Sequence, residues 1–340
     1  MPTLYLNGQT TDAVLHNRGV DVTRLSEDDG KLRKMHVPFF DIERVVVVGR
    51  CGITMPLLQR FTREEIPVHL TTTTGRWLGA FYPNRNGHAL RRLKQYDVAR
   101  NGHAALPVAK GLVVAKIRNS RRVLQRLAAN RDEARIPEQT DACDALSRAT
   151  HKAMHADNHD ILRGCEGLAA AVYFRRISAF FPDETPFKGR NRRPPRDAAN
   201  ALMSWTYTIV LGEVDCAVRS AGLDPCLGFL HEISYGRPSL ALDLLEPLRA
   251  PLCDMLVLRL LNHHLIRPEH FEFRSEDGGT YLTEAGRRTF FPEYERTMVR
   301  RFSPRKGESH TDFRGVIKEQ VNAILRVMEN RGEPDFFIMP

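Results

Sequence analysis

A glutamate on an apolar helix stripe, and a short block joining a histidine to two acids, hold most of the chemistry in this sequence. The run 161–181 (ILRGCEGLAAAVYFRRISAFF) has helical spacing, and Glu166 shares a face with Leu162, Ala169, Ala170 and Tyr173. A carboxylate there must be paired, protonated or metal-bound, because desolvating a lone charge costs several kcal/mol. A salt bridge to an arginine fits as well as a metal does. The second block is 228–246 (GFLHEISYGRPSLALDLLE). His231 follows an apolar pair and precedes a Gly/Pro turn, and Ser239 is placed to N-cap a helix carrying Asp243 and Glu246 on one face. Pro247 should kink or end that segment and so aim Glu246. Two carboxylates and a neutral imidazole make a hard, mostly oxygen donor set with open positions, suited to Mg²⁺ or Mn²⁺ and phosphate oxygens. The bland reading of His231 is a satisfied core histidine, and spacing alone does not bring Glu166 to it.

Cations gather in two places. Between Lys110 and Arg135 there are eight Lys or Arg residues against two acids, with Arg118, Arg122 and Arg126 at i, i+4 spacing along one helix face. A solvated surface helix accounts for this equally well, since like charges at that spacing weakly repel. The run Lys188–Arg196 (KGRNRRPPR) has five cations and no acid. Proline and glycine keep it out of a helix, leaving amides and guanidinium forks to hold phosphates. The net charge of +9 agrees with a polyanionic partner.

The elements that must position these groups fall into two kinds. Residues 1–83 read as a small N-terminal β-sheet or sandwich. Val14–His16 and Val20–Thr23 flank the turn 17–19, followed by Lys34–Val37, Val45–Val48, Ile66–Leu70 and Arg76–Phe81. One helix interrupts them, with Thr54 placed to cap and Leu57, Leu58 and Phe61 on one face. Around 82–87 (YPNRNG) the period changes, and 84–330 reads as a larger all-α domain, giving an α+β chain. Breaks are expected near Arg135–Thr140, Pro182–Pro195, Gly222–Gly228 and Asp277–Thr280. The tail 331–340 reads as extended or loosely held. No stretch of about 18 apolar residues suggests a membrane span, and the N-terminus lacks the form of a signal peptide. Six scattered cysteines without a CxxC pair suit free thiols in a cytoplasm.

At this point the residues resemble a known family. The runs FKGRNRRPPRDAANALMSWTYTIVLGEV and AGLDPCLGFLHEISYGRPSLALDLLEPLRAP are similar to the CRISPR-associated integrase and endonuclease family, the first-numbered Cas proteins. GRCGITMPLLQRFTREEIPVHLTTTTGRWLG, HALRRLKQY, VAKIRNSRRVLQR and YLTEAGRRTFFPEYER match other parts in order. The resemblance implies an N-terminal β-domain that dimerises and a helical catalytic domain. It implies Glu166, His231 and Glu246 as metal ligands, with Asp243 supporting the site or sharing the ion. Arg190 and Arg193 fall on the family's basic loop, and Arg237 on its GR turn. There are two departures: Ala250 intervenes between Arg249 and Pro251, and Met255 follows Asp254 where arginine is common. Both bear on local helix packing.

The implied reaction is divalent-metal-dependent transesterification, in which the 3′-hydroxyl of a short captured DNA attacks a phosphodiester at a CRISPR repeat boundary. Water in its place gives hydrolysis. Arg190, Arg193, Arg118 and Arg122 are then expected to hold double-stranded or branched DNA. A small ferredoxin-like protein bridging two homodimers is the implied partner. A structure-selective repair nuclease and a non-catalytic DNA-binding scaffold are the alternatives.

Overall fold

Alternating valines and leucines build the first unit, residues Met1–Leu90 with Arg219–Leu223. The computed structural model describes residues 3–7, 12–25, 30–73, 77–82, 88–129, 131, 136–191, 194–304 and 309–340. The strands are β1 (Thr3–Asn7), β2 (Asp12–His16), β3 (Gly19–Leu25), β4 (Leu32–Pro38), β5 (Arg44–Val48), β6 (Gly52–Ile53), β7 (Val68–Thr71) and β8 (Trp77–Phe81), with helix α1 (Met55–Arg63) between β6 and β7. They form two four-stranded sheets, ordered β4-β3-β2-β6 and β1-β5-β7-β8. Leu4 and Leu6, Val20 and Val22, Val45 and Val47 turn inward from alternate positions. With Leu57, Leu58 and Phe61 of α1 they make one core. Each such side chain, fully buried, contributes about 1.5–3 kcal/mol. Because Val20 and Val22 face that core, Asp21 faces away from it. The 17–19 turn forms as expected, with Asn17 at φ 51°. Thr54 stands at the N-cap of α1, but its side chain makes no capping bond, and Pro56 in the first turn removes one donor that would need it.

The second unit comprises Arg91–Val218 and Asp224–Pro340. Its helices are α2 (His88–Arg100), α3 (Gly102–Ala129), α4 (Pro137–Met154), α5 (His159–Ile177), α6 (Ala198–Ser220), α7 (Ser239–Leu245), α8 (Met255–Asn262), α9 (Glu284–Met298) and α10 (Phe313–Met328). The expected boundary at 83/84 lies among residues 83–87, outside the described ones. The unit is not all-α. Strands β9 (Phe271–Arg274) and β10 (Gly279–Leu282) pair as an antiparallel hairpin around a turn with Gly278 at φ 66°. Short alternating FEF and TYL runs amid charged residues hid this hairpin from a helical reading. Its Thr280 amide donates to the Pro195 carbonyl at 2.7 Å, so the proline-rich stretch packs on it. The break expected at 135–140 is shorter, because Pro137 starts α4 and Thr140 is already helical.

The tail is extended but firmly held, contrary to the looser expectation. Asn119, buried in α3, donates to the Phe337 carbonyl at 2.9 Å and accepts from the Met339 amide at 2.7 Å. Phe336 and Met339 are buried. Two backbone bonds and two apolar anchors are enough to order an otherwise irregular segment.

Candidate active site

The acids come from two elements that pack on α3. On α5, Asn158 caps the helix by accepting from the Ile161 amide at 2.9 Å, and the stripe Leu162, Cys165, Ala169 and Tyr173 is buried. That sets Glu166 at the edge of the stripe, half-buried. Pro247 ends α7 as expected: Glu246–Leu248 form one 3₁₀ turn and Arg249–Asp254 a π-helical segment. Ala250 lies within this π-helical segment, where each turn holds one residue more than an α turn. Ser239 does not cap α7. Pro238 occupies the N-cap position, and the Ser239 hydroxyl donates to the Glu232 carbonyl at 2.9 Å.

Glu166 and Glu246 meet on a residue that sequence reasoning passed over, Lys116 of α3. Its ammonium pairs with Glu166 Oε1 and lies 2.6 Å from Glu246 Oε2. That buried oxygen has no well-angled hydrogen bond. The other oxygen, Oε1, accepts from Arg249 Nε at 3.0 Å. Burial alone would raise the Glu246 pKa, but the Arg249 guanidinium and the Lys116 ammonium outweigh it and hold the carboxyl at about 2. The signal for Lys116 was available in the sequence. It lies at i+4 from Leu112, i+3 from Val113 and i−7 from Val123, a cation on an apolar stripe.

His231 is aimed by Asp243, which is fully buried. Asp243 Oδ1 lies 2.6 Å from the His231 Nδ1 and accepts the His231 amide at 3.0 Å. Oδ2 accepts the Phe229 and Leu230 amides at 2.6 and 3.0 Å. With its oxygens so engaged, Asp243 supports the histidine and does not offer itself to an ion. The carboxylate fixes the proton on Nδ1 and leaves the Nε2 lone pair for a ligand. Gly228 makes this possible, because a Cβ there would stand 2.7 Å from Asp243 Oδ2. His159 bonds the Phe229 carbonyl at 2.9 Å and secures the segment from its other side.

A cavity of about 320 Å³ opens on Lys116, Glu166, Glu246, Arg249, Arg190 and Tyr207. His231 is not on its wall, and Glu166, His231 and Glu246 do not bring their ligand atoms within 4.8 Å of one another. Arg190 is brought to this cavity. Its guanidinium lies 5.2 Å from the centre of the Tyr207 ring and donates to Asn200 Oδ1 at 2.9 Å. Deeper in, Asp254 accepts from Tyr173 at 2.8 Å and from Tyr207 at 2.6 Å. Its burial outweighs both bonds and raises its pKa to about 6.

The other expected cations are placed elsewhere. Arg193 lies outside the described residues. Arg237 is half-buried on the turn after Gly236. Arg118 and Arg122 line, with Arg121, Arg126 and His151, a groove of about 710 Å³. At about 100° per residue this groove lies on the face of α3 opposite Lys116. Arg122 donates to the Met339 carbonyl and Arg118 to Met154 Sδ.

The family model for CRISPR associated protein Cas1 matches residues 4–296. The CRISPR-associated endonuclease Cas1 3 of Thermus thermophilus is 35% identical over 249 residues, covering 73% of this chain and 72% of the relative. One chain of a partial Cas6-RT-Cas1–Cas2 complex superposes with TM-score 0.74 at 25% identity, over 99% of this chain and 98% of that one. A casposase bound to integration product shares the fold, with TM-score 0.80 at 23% identity over 100% and 94% of the two chains.

Proposed function

The chain belongs to the family of the CRISPR-associated protein Cas1, and from that premise we propose a divalent-metal-dependent DNA endonuclease and integrase that inserts short duplexes into a CRISPR array. The convergence of Glu166 and Glu246 on one buried cation is the observation that carries this reading, and Asp243 separately turns His231 so that its Nε2 is left for a ligand.

The residues present fit a hard divalent ion. Lys116 already stands as a cation between the two carboxylates, and Glu246 Oε2 is buried without a well-angled hydrogen bond. Glu166, His231 and Glu246 would hold the ion, Mg²⁺ or Mn²⁺ by its oxygen-rich donors. Bound there, it would supply electrophilic activation of a phosphodiester. The protein's own groups do the rest. Asp243 keeps the proton on His231 Nδ1. Arg249 holds Glu246 ionised, so no proton has to leave that carboxyl before it acts as a ligand. Arg190, on the cavity wall, is placed to take a phosphate oxygen through its fork. The attacking oxygen comes from the DNA. Its 3′-hydroxyl bonds to phosphorus as the P–O bond in the repeat strand breaks, and water in its place gives cleavage.

The relative named an endonuclease supports hydrolysis at such a site, and the complex with Cas2 supports a small partner protein. Homodimerisation through the first unit belongs to the same reading. Among the described residues, no helix is long and apolar enough to cross a membrane. The test is a supercoiled plasmid mixed with a short labelled duplex bearing 3′-hydroxyls, in Mg²⁺ or Mn²⁺, with and without the partner protein. Label should join the plasmid with the wild-type chain and not with His231→Ala. Equal behaviour of the two proteins defeats the assignment.

A further inference from the structure

Asp21 sits in the middle of the sheet ordered β4-β3-β2-β6, on the face turned away from the core. Register places His36 of β4 directly opposite it, and His16 of β2 two residues along from Val14, its partner on the other side. All three side chains therefore share one face. His36 Nδ1 lies 2.7 Å from Asp21 Oδ1, and His16 Nδ1 lies 3.1 Å from Oδ2. The two rings meet edge to face with centroids 5.8 Å apart. Gly19 leaves room for this, because a Cβ there would stand 2.7 Å from the His36 ring. Among the described residues, this is the one trio of His, Cys, Asp or Glu whose ligand atoms all lie within 4.8 Å of one another.

We infer that His16, Asp21 and His36 form a binding site for a borderline transition-metal ion of the Zn²⁺ class. The ligand edges of a tetrahedral ion with bonds near 2.0 Å are about 3.3 Å long, close to the two N···O separations found here. Two imidazoles and one carboxylate select Zn²⁺, Co²⁺ or Ni²⁺ over Mg²⁺, which prefers oxygen. The site is thus chemically distinct from the oxygen-rich one in the second unit, and it leaves a position open for water or a further donor. Asp21 is almost fully buried, while the imidazoles that cover it are about half exposed, so an ion reaches the cluster from solvent. Lys34, 2.8 Å from Asp21 Oδ2, balances the carboxylate without the ion. Its own side chain is 62% exposed and can swing into water when an ion enters. Binding through Nδ1 requires each ring to carry its proton on Nε2, so affinity falls as acid protonates the rings.

The test uses the full chain, stripped with chelator and titrated with Co²⁺ while its visible d–d absorption is followed. Thermal midpoints are then measured with and without Zn²⁺. Wild type and His231→Ala should both show a tetrahedral Co²⁺ band and a Zn²⁺-dependent rise in midpoint. In the His16→Gln/His36→Gln variant the band should vanish, with affinity down by at least about tenfold, and the Zn²⁺ rise should go with it. Both substituted side chains are exposed, so the variant should keep a single cooperative unfolding transition and the wild-type far-UV spectrum in chelator, which confirms its fold. The single variant His36→Gln should lie between. The inference is overturned if the double variant keeps the wild-type band and rise, or if wild type shows neither at micromolar ion. A band lost in His231→Ala but kept in the double variant would put the ion in the second unit, overturning this site while supporting the other.

Discussion

Histidine meets aspartate in both units, and the surroundings make two different devices of the same pair. Asp243 is enclosed: three backbone amides and one imidazole nitrogen converge on its two oxygens. It fixes one histidine, one tautomer and one outward-pointing nitrogen. Asp21 is shared instead by two imidazoles and a lysine, all side chains that reach water. Lys34 and the imidazole of His36 hold its pKa at about 2. Backbone donors cannot move away, whereas side-chain donors can. The first arrangement orients one side chain, and the second leaves a carboxylate available to whatever cation competes for it.

Asparagine at each position breaks the comparison most directly. Asp243→Asn puts an NH₂ where amide donors already point, and so leaves buried N–H groups unpaired. We expect a loss of about 3 kcal/mol or more in urea denaturation, with metal-dependent cleavage down by at least about a hundredfold. Asp21→Asn should cost clearly less than Asp243→Asn, because the partners it gives up are side chains that can turn to water. Equal losses at the two positions would show that enclosure is not what separates them.

The two lysines sharpen the contrast. Lys116→Met removes the cation that Glu166 and Glu246 share, leaving only Arg249 on Glu246 Oε1. The metal-free protein should lose about 2–4 kcal/mol, and saturating Mn²⁺ should restore part of it, giving a larger Mn²⁺-dependent shift in midpoint than wild type shows. Lys34→Met should do neither. If Mn²⁺ fails to stabilise Lys116→Met, these carboxylates are not its ligands.

Asp254 extends the same logic to pH. Its folded pKa of about 6 lies above the ordinary 3.8, so between these values the folded state binds more protons than the unfolded. Stability therefore falls as pH rises through that window, by on the order of 3 kcal/mol, and the penalty is fully present above pH 6. Asp254→Asn should lack this slope. Parallel stability curves for variant and wild type from pH 4 to 7 would remove Asp254 as the cause.

How much of this was legible depended on the range of the interaction. Most strands of the first unit, α1 and α5 follow from local alternation and periodicity, whereas Glu166, read on the apolar stripe, stands half-buried at its edge. Gly228 and Asp243, fifteen residues apart, could be read as one block, but the saturation of Asp243 by backbone amides could not, because it depends on how the loop before α7 folds back. Lys116 and Glu246 are separated by 130 positions, and only tertiary packing joins them. The hairpin at 271–282 was hidden by its brevity, and the ordering of the tail by a single buried asparagine in α3. The His16–Asp21–His36 trio needed the register of three strands, which alternation suggests and does not fix.

The inner and outer arginines give the smallest effect and the finest division. Arg190 lies on the wall of the cavity that holds the acids, whereas Arg118 and Arg122 line a groove on the opposite face of α3. A duplex with its reacting phosphate at Glu166 and Glu246 meets Arg190 directly, and it meets the groove only where its path continues around the helix. Arg118→Ala/Arg122→Ala should weaken duplex binding and lower the slope of log affinity against log salt by about 2, one for each phosphate contact. The joining rate at saturating DNA should stay unchanged. Arg190→Ala should lower the slope by only about 1 and yet slow joining at saturation, since it removes a fork beside the reacting phosphate. If the outer pair slows joining as much as Arg190 does, both sets of cations hold the reacting segment, and α3 does not separate binding from chemistry.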